Sequence, residues 1–96
     1  MVYHLNVATA DDAVARVTAR EAHGGHPVPE ANIRGRYERN QALIREALLM
    51  ANRGFVFDNT TFGRSPRLLI TFADGRPTDV AADLPAWAAE LYGPDL

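Results

Sequence analysis

The segment "HGGHPVPE", His23 to Glu30, limits the folds open to this chain more than any other stretch. It combines two adjacent glycines with two prolines. Proline removes the backbone N–H that a helix interior or a central strand needs, and glycine favours turns. The segment therefore predicts a loop, and the residues before and after it must form separate elements.

The residues before this loop have the pattern of a strand followed by a helix. In "VYHLNVA", Val2 to Ala8, the side chains of Val2, His4 and Asn6 alternate with those of Tyr3, Leu5 and Val7. The segment is also rich in β-forming residues, so it predicts a strand. Thr9 is the predicted N-cap of the helix "DDAVARVTAREA", because Asp12 follows three residues later and carboxylates stabilise the positive end of a helix. A strand and a helix are thus expected before the loop.

The residues after the loop predict two helices, two strands and a last helix. Pro29 suits a helix start, and Asn40 is the predicted break between a short arginine-rich helix and a longer buried one that stops at Gly54. "FVFD" has the apolar character of a buried parallel strand; "RLLITF" is the next strand, with a tight turn at "ADGR". Asp83 is a candidate cap for the helix "LPAWAAELYG". The predicted class is α/β, with one domain over residues 1–96.

Composition narrows the function classes. A chain of 96 residues holds a single core, and the absence of cysteine excludes disulfides and thiolate metal sites. No apolar run approaches the ~20 residues of a membrane span, so we expect a cytoplasmic protein without a membrane partner. The net charge of −2 argues against nucleic-acid binding. All ten basic residues are arginine, so no lysine is present to bind phosphate or act in catalysis.

Arginines gather on both sides of the glycine loop. They are Arg16 and Arg20 on the first predicted helix and Arg34, Arg36 and Arg39 on the next. A guanidinium group is planar, always charged and able to form paired hydrogen bonds to phosphate. Two such helices joined by a flexible loop can close over a polyphosphate. The alternative is a solvated face with local pairs such as Arg20 with Glu21, and both interpretations stay open at this point.

The other polar residues give weaker evidence of a binding or catalytic site. Two histidines in "HGGH" are too few for a closed zinc site, and no metal site is predicted. Asp58 and Asn59 follow an apolar strand, where α/β sheets bind ligands, although a simple Asx turn fits their spacing better. His4 is expected to be a satisfied, partly buried histidine, and Trp87 to pack in the core. Neither G-x-x-x-x-G-K-[ST] nor G-x-G-x-x-G occurs.

The longest patterned stretch resembles a known family. The run "ARVTAREAHGGHPVPEANIRGRYERN", followed by "ANRGFVFDNT", "RLLITFADGR" and "LPAWAAEL", resembles the C-terminal half of zeta-toxin-like P-loop kinases. The resemblance covers nearly the whole chain. It implies part of a three-layer α/β phosphotransferase in the order β-α-(lid loop)-α-α-β-β-α, with residues 19–40 as an arginine-rich lid. Members of this family are bacterial, bind ATP and Mg²⁺, and include the toxins of toxin–antitoxin pairs.

The resemblance also implies roles for individual residues. Arg20, with Arg34 or Arg36, would neutralise charge on a transferred phosphoryl group, and these three are the implied catalytic residues. The Gly24-Gly25-His26 loop would be the hinge of the lid. The implied nucleotide-binding residues are Arg16, Gly24, Gly25, His26, Arg39 and Asn59.

The sequence departs from that family in one large respect. The phosphate-binding loop, its lysine, the magnesium-binding Ser/Thr and the catalytic acidic residue would all precede Met1. We therefore expect a lid and C-terminal module that binds nucleotide phosphates and catalyses phosphoryl transfer only with a separate P-loop half. The alternative is a non-catalytic interaction protein that forms homo-oligomers, or binds an antitoxin-like partner, through surfaces that such a half would cover.

Overall fold

The computed structural model of the chain describes residues 1–61 and 63–96 and forms a mixed α/β domain. Its strands are β1 (Val2–Asn6), β2 (Arg53–Asp58), β3 (Arg67–Ala73) and β4 (Arg76–Val80). Its helices are α1 (Ala10–Ala22), α2 (Glu30–Met50) and α3 (Ala86–Tyr92), and a short 3-10 turn follows at Gly93–Asp95. The α/β class predicted from the sequence is confirmed.

The four strands form one sheet in the order β1-β2-β3-β4. Strands β1 and β2 are parallel, and the other two pairs are antiparallel. The parallel pairing predicted for "FVFD" is therefore found on its β1 side. The turn predicted at "ADGR" joins β3 to β4, and both Asp74 and Gly75 there adopt positive φ.

The start of α1 follows the sequence prediction closely. The Asp12 N–H donates to the Thr9 hydroxyl at 3.1 Å, while the Thr9 N–H donates to the Asp12 carboxylate at 3.1 Å. This reciprocal arrangement is a capping box, and it satisfies two backbone donors that a helix start leaves without intrahelical partners.

The prediction of two helices after the loop was wrong. Helix α2 runs without a break for 21 residues and passes through Asn40. Asparagine costs a helix only about 0.7 kcal/mol relative to alanine, which the helix-forming residues around it easily offset. The helix also ends at Met50 rather than at Gly54, which lies inside β2.

The predicted cap of the last helix was also wrong. Pro85 occupies the N-cap position of α3, with no side-chain hydrogen bond there. Asp83 instead forms an ion pair with Arg67 at 3.0 Å, which ties the approach to α3 to the start of β3. Among the described residues, no helix is long and apolar enough to cross a membrane.

The core lies between one face of the sheet and helices α2 and α3. Its buried apolar side chains include Leu48 from α2, Val56, Ile70 and Phe72 from the sheet, and Trp87 and Tyr92 from α3. The Phe72 and Tyr92 rings lie 5.7 Å apart. Burial of this set supplies most of the driving force for folding, at about 25 cal/mol per Å² of apolar surface.

His4 is buried more deeply, and is less satisfied, than the sequence predicted. Its side chain is 1% exposed, between the rings of Trp87 and Tyr92. Its Nδ1 shares a 2.7 Å hydrogen bond with the Tyr92 hydroxyl, and its Nε2 has no partner among the described residues. Burial lowers the pKa of His4 to about 4, so this imidazole is neutral at pH 7.

This burial predicts an acid-sensitive core. Because the folded pKa of His4 lies below the value of about 6.5 expected in the unfolded chain, the unfolded state binds more protons between these pH values. His4 therefore stabilises the fold fully above pH 6.5, and that stability is lost as pH falls towards 4. We expect His4→Phe to flatten the pH dependence of the unfolding free energy, measured by urea denaturation from pH 7 to pH 4. An equal slope in both proteins would contradict this assignment.

Candidate functional site

A cavity of about 540 Å³ opens at the carboxyl end of β1. It lies between that strand end, α1, the loop of residues 23–29 and the first turns of α2. The apolar part of its wall comes from Leu5, Val7, Ala13, Val17, Val28 and Ile33. The cavity thus lies where α1 and the start of α2 extend beyond the end of the sheet.

Three of the arginines predicted to bind phosphate line this cavity. Arg16 and Arg20 reach it from α1 and Arg36 from α2, together with His26 of the loop and Asn59 after β2. Arg16 and Arg20 are one turn apart on α1, so both fall on the same face. Gly25 also contributes to the lining. Helix packing has therefore brought six of the nine predicted site residues to one cavity.

The other three predicted residues lie elsewhere. Arg34 pairs with Asp11 at 2.5 Å and with Glu30 at 2.8 Å, and these carboxylates raise the pKa of its guanidinium. Gly24 and Arg39 are not among the described residues that line the cavity. The contact of Arg34 with Asp11 joins α2 to α1, so this arginine stabilises the helix pair from outside.

Arg16 contacts the β2–β3 loop as well as the cavity. Its guanidinium donates to the backbone carbonyl oxygens of Asn59 and Thr60, the latter at 3.2 Å. These contacts fix the end of the loop against α1 and hold Asn59 at the cavity wall. By contrast, Arg20 and Arg36 are exposed, and no ion pair or hydrogen bond of their guanidinium groups is found among residues 1–61 and 63–96.

Glu21 is the acidic residue among the described cavity lining, and it holds the glycine loop in place. Its carboxylate accepts the Val28 N–H at 2.8 Å, across the loop. The alternative pairing of Glu21 with Arg20 is absent from the ion pairs of the described residues. The loop is closed further by the Gly25 N–H, which donates to the Arg20 carbonyl at 3.0 Å.

Local geometry favours glycine at both positions of the loop. Gly24 has φ +101°, a conformation that L-residues rarely adopt, although open space surrounds its Cα. Gly25 lies so close to α1 that a Cβ there would be 3.1 Å from the Arg20 carbonyl oxygen. The loop can therefore pass tightly behind Arg20 and direct the chain into α2.

Two polar contacts attach α2 to the end of β1. The Tyr37 hydroxyl donates to the Val7 carbonyl at 2.8 Å. Asn6 and Gln41 exchange side-chain amide hydrogen bonds of 2.8 and 3.1 Å. Burial raises the pKa of Tyr37, so its hydroxyl stays protonated and remains a donor.

The Asp58 side chain forms the turn that the sequence predicted at this position. Its Oδ1 accepts the Thr60 N–H at 3.3 Å, the Thr60 hydroxyl at 2.5 Å and the Trp87 Nε1–H at 3.3 Å. These contacts form an Asx turn and attach the strand end to α3. The described residues contain no group of three His, Cys, Asp or Glu side chains that could hold a metal.

Sequence reasoning missed three polar groups of this site. Glu21 was considered only as an arginine partner, and neither Asn6 nor Gln41 was predicted to matter. Asn6 stands at the end of a strand, a position that often faces ligands in α/β sheets. Its pairing with Gln41 depends on how α2 crosses the sheet, which no local pattern encodes.

The loop geometry gives a prediction for Gly24. Gly24→Ala forces a Cβ into a positive-φ conformation, so we expect unfolding stability to fall by about 1–3 kcal/mol. Hydrogen exchange of the Gly25 and Val28 amides should accelerate as the loop loosens. Gly93→Ala is the control, because Gly93 has a helical φ of −49° and open space around it. Equal exchange rates in the two variants would contradict the strained-loop interpretation.

No protein-family model, curated protein or solved structure matches this chain. The likeness to zeta-toxin-like kinases therefore rests on the sequence motif alone.

Proposed function

We propose that this chain binds the phosphate groups of a nucleotide-like polyphosphate in the α1–α2 cavity, as a lid and C-terminal module of a zeta-toxin-like kinase. The observation that carries the proposal is the convergence of Arg16, Arg20 and Arg36 on one cavity. Among the described lining residues, Glu21 is the carboxylate that opposes these three guanidinium groups. The cavity therefore favours anions, although the whole chain has a net charge of −2.

The surroundings of the arginines strengthen this preference. Apolar side chains such as Val17 and Ile33 line the same cavity. Charge interactions are stronger beside a low-dielectric wall than in open water, because less solvent screens them. The cavity volume of about 540 Å³ also lies in the range of about 300–1,000 Å³ typical of small-molecule sites.

The three arginines divide into two roles in this proposal. Arg16 braces the β2–β3 loop through the carbonyl groups of Asn59 and Thr60. Arg20 and Arg36, which are exposed and reach the cavity from different helices, supply the paired hydrogen bonds to phosphate. Asn59 and His26 contribute polar contacts at the rim.

The proposed module is not a complete kinase. It has neither a lysine nor a Walker A loop, so the parts that hold the β- and γ-phosphates in P-loop enzymes must come from another polypeptide segment. The described residues also provide no magnesium site, and no step of the proposal depends on a metal bound by this chain. With a P-loop half in place, Arg20 and Arg36 would stabilise charge that develops on the transferred phosphoryl group.

Arginine variants test the proposal directly. Arg20→Ala and Arg36→Ala should each weaken binding of ATP or inorganic triphosphate by about tenfold or more, because a charge-assisted hydrogen bond contributes about 1.5–3 kcal/mol. The melting temperature should change little, since both side chains are exposed. The measurement is isothermal titration calorimetry at low salt, with and without Mg²⁺.

Two arginines serve as controls for this experiment. Arg53 is exposed at the amino end of β2, away from the cavity, so Arg53→Ala should bind like the unaltered protein. Arg34→Ala should lower stability through loss of the Asp11 and Glu30 contacts while leaving phosphate affinity nearly unchanged. The proposal fails if the unaltered chain binds no triphosphate, or if all four variants weaken binding equally.

Glu21 provides a test in the opposite direction. Glu21→Gln removes the negative charge from the cavity wall, while the amide oxygen still accepts the Val28 N–H. We expect triphosphate affinity to rise several-fold, with a larger gain at low ionic strength. Glu38→Gln is the matched control, because Glu38 is exposed on α2 and does not line the cavity. Unchanged or weaker binding of Glu21→Gln would argue against phosphate binding at this place.

A further inference from the structure

The two edges of the sheet differ in how they are protected from pairing. Edge strand β4 carries Arg76 and Asp79 and includes Pro77, which has no N–H to donate. Its pairing with β3 is also irregular near Phe72. Charges, proline and irregular pairing are the usual devices that keep an edge strand from joining another sheet. Edge strand β1, "VYHLN", carries none of the three.

The backbone of β1 presents hydrogen-bonding groups at its open edge. The Asn59 N–H donates to the Asn6 carbonyl at 2.7 Å, and Asn6 lies opposite Asp58 in the register with β2. In a parallel pair, alternate residues bond to the same neighbour, so Val2, His4 and Asn6 face β2. The N–H and C=O groups of Tyr3 and Leu5 therefore turn away from β2, towards an edge where no other strand of residues 1–61 and 63–96 pairs.

The face of the sheet opposite helices α2 and α3 adds an apolar surface beside this edge. Tyr3 and Leu5 are 54% and 52% exposed, and Leu68 of β3 is 44% exposed. The Tyr3 ring stacks on Phe55 at 5.1 Å and on Phe57 at 6.2 Å. Exposed apolar side chains thus extend from the middle of the sheet to the open edge.

We propose that a second copy of this chain occupies the β1 edge, with the two β1 strands antiparallel about a two-fold axis through His4. In this register Tyr3 lies opposite the second copy's Leu5, and the outward N–H and C=O groups of both residues pair across the seam. Each Tyr3 ring meets a leucine side chain on the same face, which is a favourable cross-strand pair. The result is one eight-stranded sheet with a continuous apolar strip.

A second copy fits this edge better than an open series of chains. Strand β1 is uncharged, so two copies bring no like charges into the seam. Pairing of β1 with β4 of another molecule would continue indefinitely, but Pro77 and the charges of β4 oppose it. Association therefore closes at two. The inference is independent of phosphate binding, since no cavity arginine takes part.

Charge substitutions at the seam test both the partner and the register. Analytical ultracentrifugation over a range of concentrations should show the unaltered chain in a monomer–dimer equilibrium. Tyr3→Lys with Leu5→Lys places like charges directly opposite each other and should give a monomer. Tyr3→Lys with Leu5→Glu places opposite charges across the seam and should retain the dimer. Arg76→Glu on β4 is the control and should leave the dimer unchanged.

Hydrogen exchange supplies a measurement that needs no variant. The Tyr3 and Leu5 amides should exchange quickly in dilute protein and slowly at high concentration, while the His4 amide, which faces β2, should be protected in both. A monomer at every concentration, a dimer that survives the double-lysine change, or growth into larger assemblies would overturn the proposal. Loss of the dimer in the lysine–glutamate variant would overturn its antiparallel register.

Discussion

The close approach of helix α2 to the sheet is the contact on which the rest of the structure depends. At Gly54 the helix lies so near β2 that an added Cβ would be 2.5 Å from the Leu48 Cγ atom. Leu48 is completely buried there, in contact with the core that α3 completes. Because a helix of 21 residues is about 31 Å long, anchoring its last turns at Gly54 projects its first turns beyond the strand ends.

The part of α2 that extends beyond the strand ends forms one side of the cavity. The first turns of α2 pack against α1 rather than against the sheet, and the Arg34–Asp11 pair closes the outside of this helix pair. The contacts of Tyr37 and Gln41 with the end of β1 set the angle at which the helix leaves the sheet. A rigid helix anchored at one end and held at mid-length by polar contacts thus determines where Arg36 stands relative to Arg20.

Local sequence patterns were enough to predict much of the fold. Three features depend on residues only a few positions apart: the capping box at Thr9, the glycine–proline loop and the β3–β4 turn. A short stretch of sequence therefore contains all the residues needed to predict each of them. The Asn40 break was wrong because a weak local preference was set against a helix that packing and its neighbours stabilise. The Asp83 cap was wrong because α3 begins two residues later than that cap requires, with Pro85 at the N-cap position, and the Asp83 carboxylate pairs with Arg67.

The site was predictable to the extent that helix periodicity governs it. Spacing on α1 placed Arg16 and Arg20 on one face, and both line the cavity. On α2, however, Arg34 and Arg36 are only two residues apart, about 200° around the helix, so they cannot both face the same cavity. Arg36 lines the cavity, whereas Arg34 forms ion pairs with Asp11 and Glu30. Which of the two faced inward depended on the crossing of α1 and α2.

Strand β1 connects the cavity with the open edge of the sheet. Leu5 lines the cavity and also presents its backbone to that edge, so the two surfaces meet at one residue. In an antiparallel β1 seam, the carboxyl ends of the two strands point in opposite directions. The two cavities of such a dimer would therefore open at opposite ends of the shared sheet, each bordered by the other copy's Tyr3.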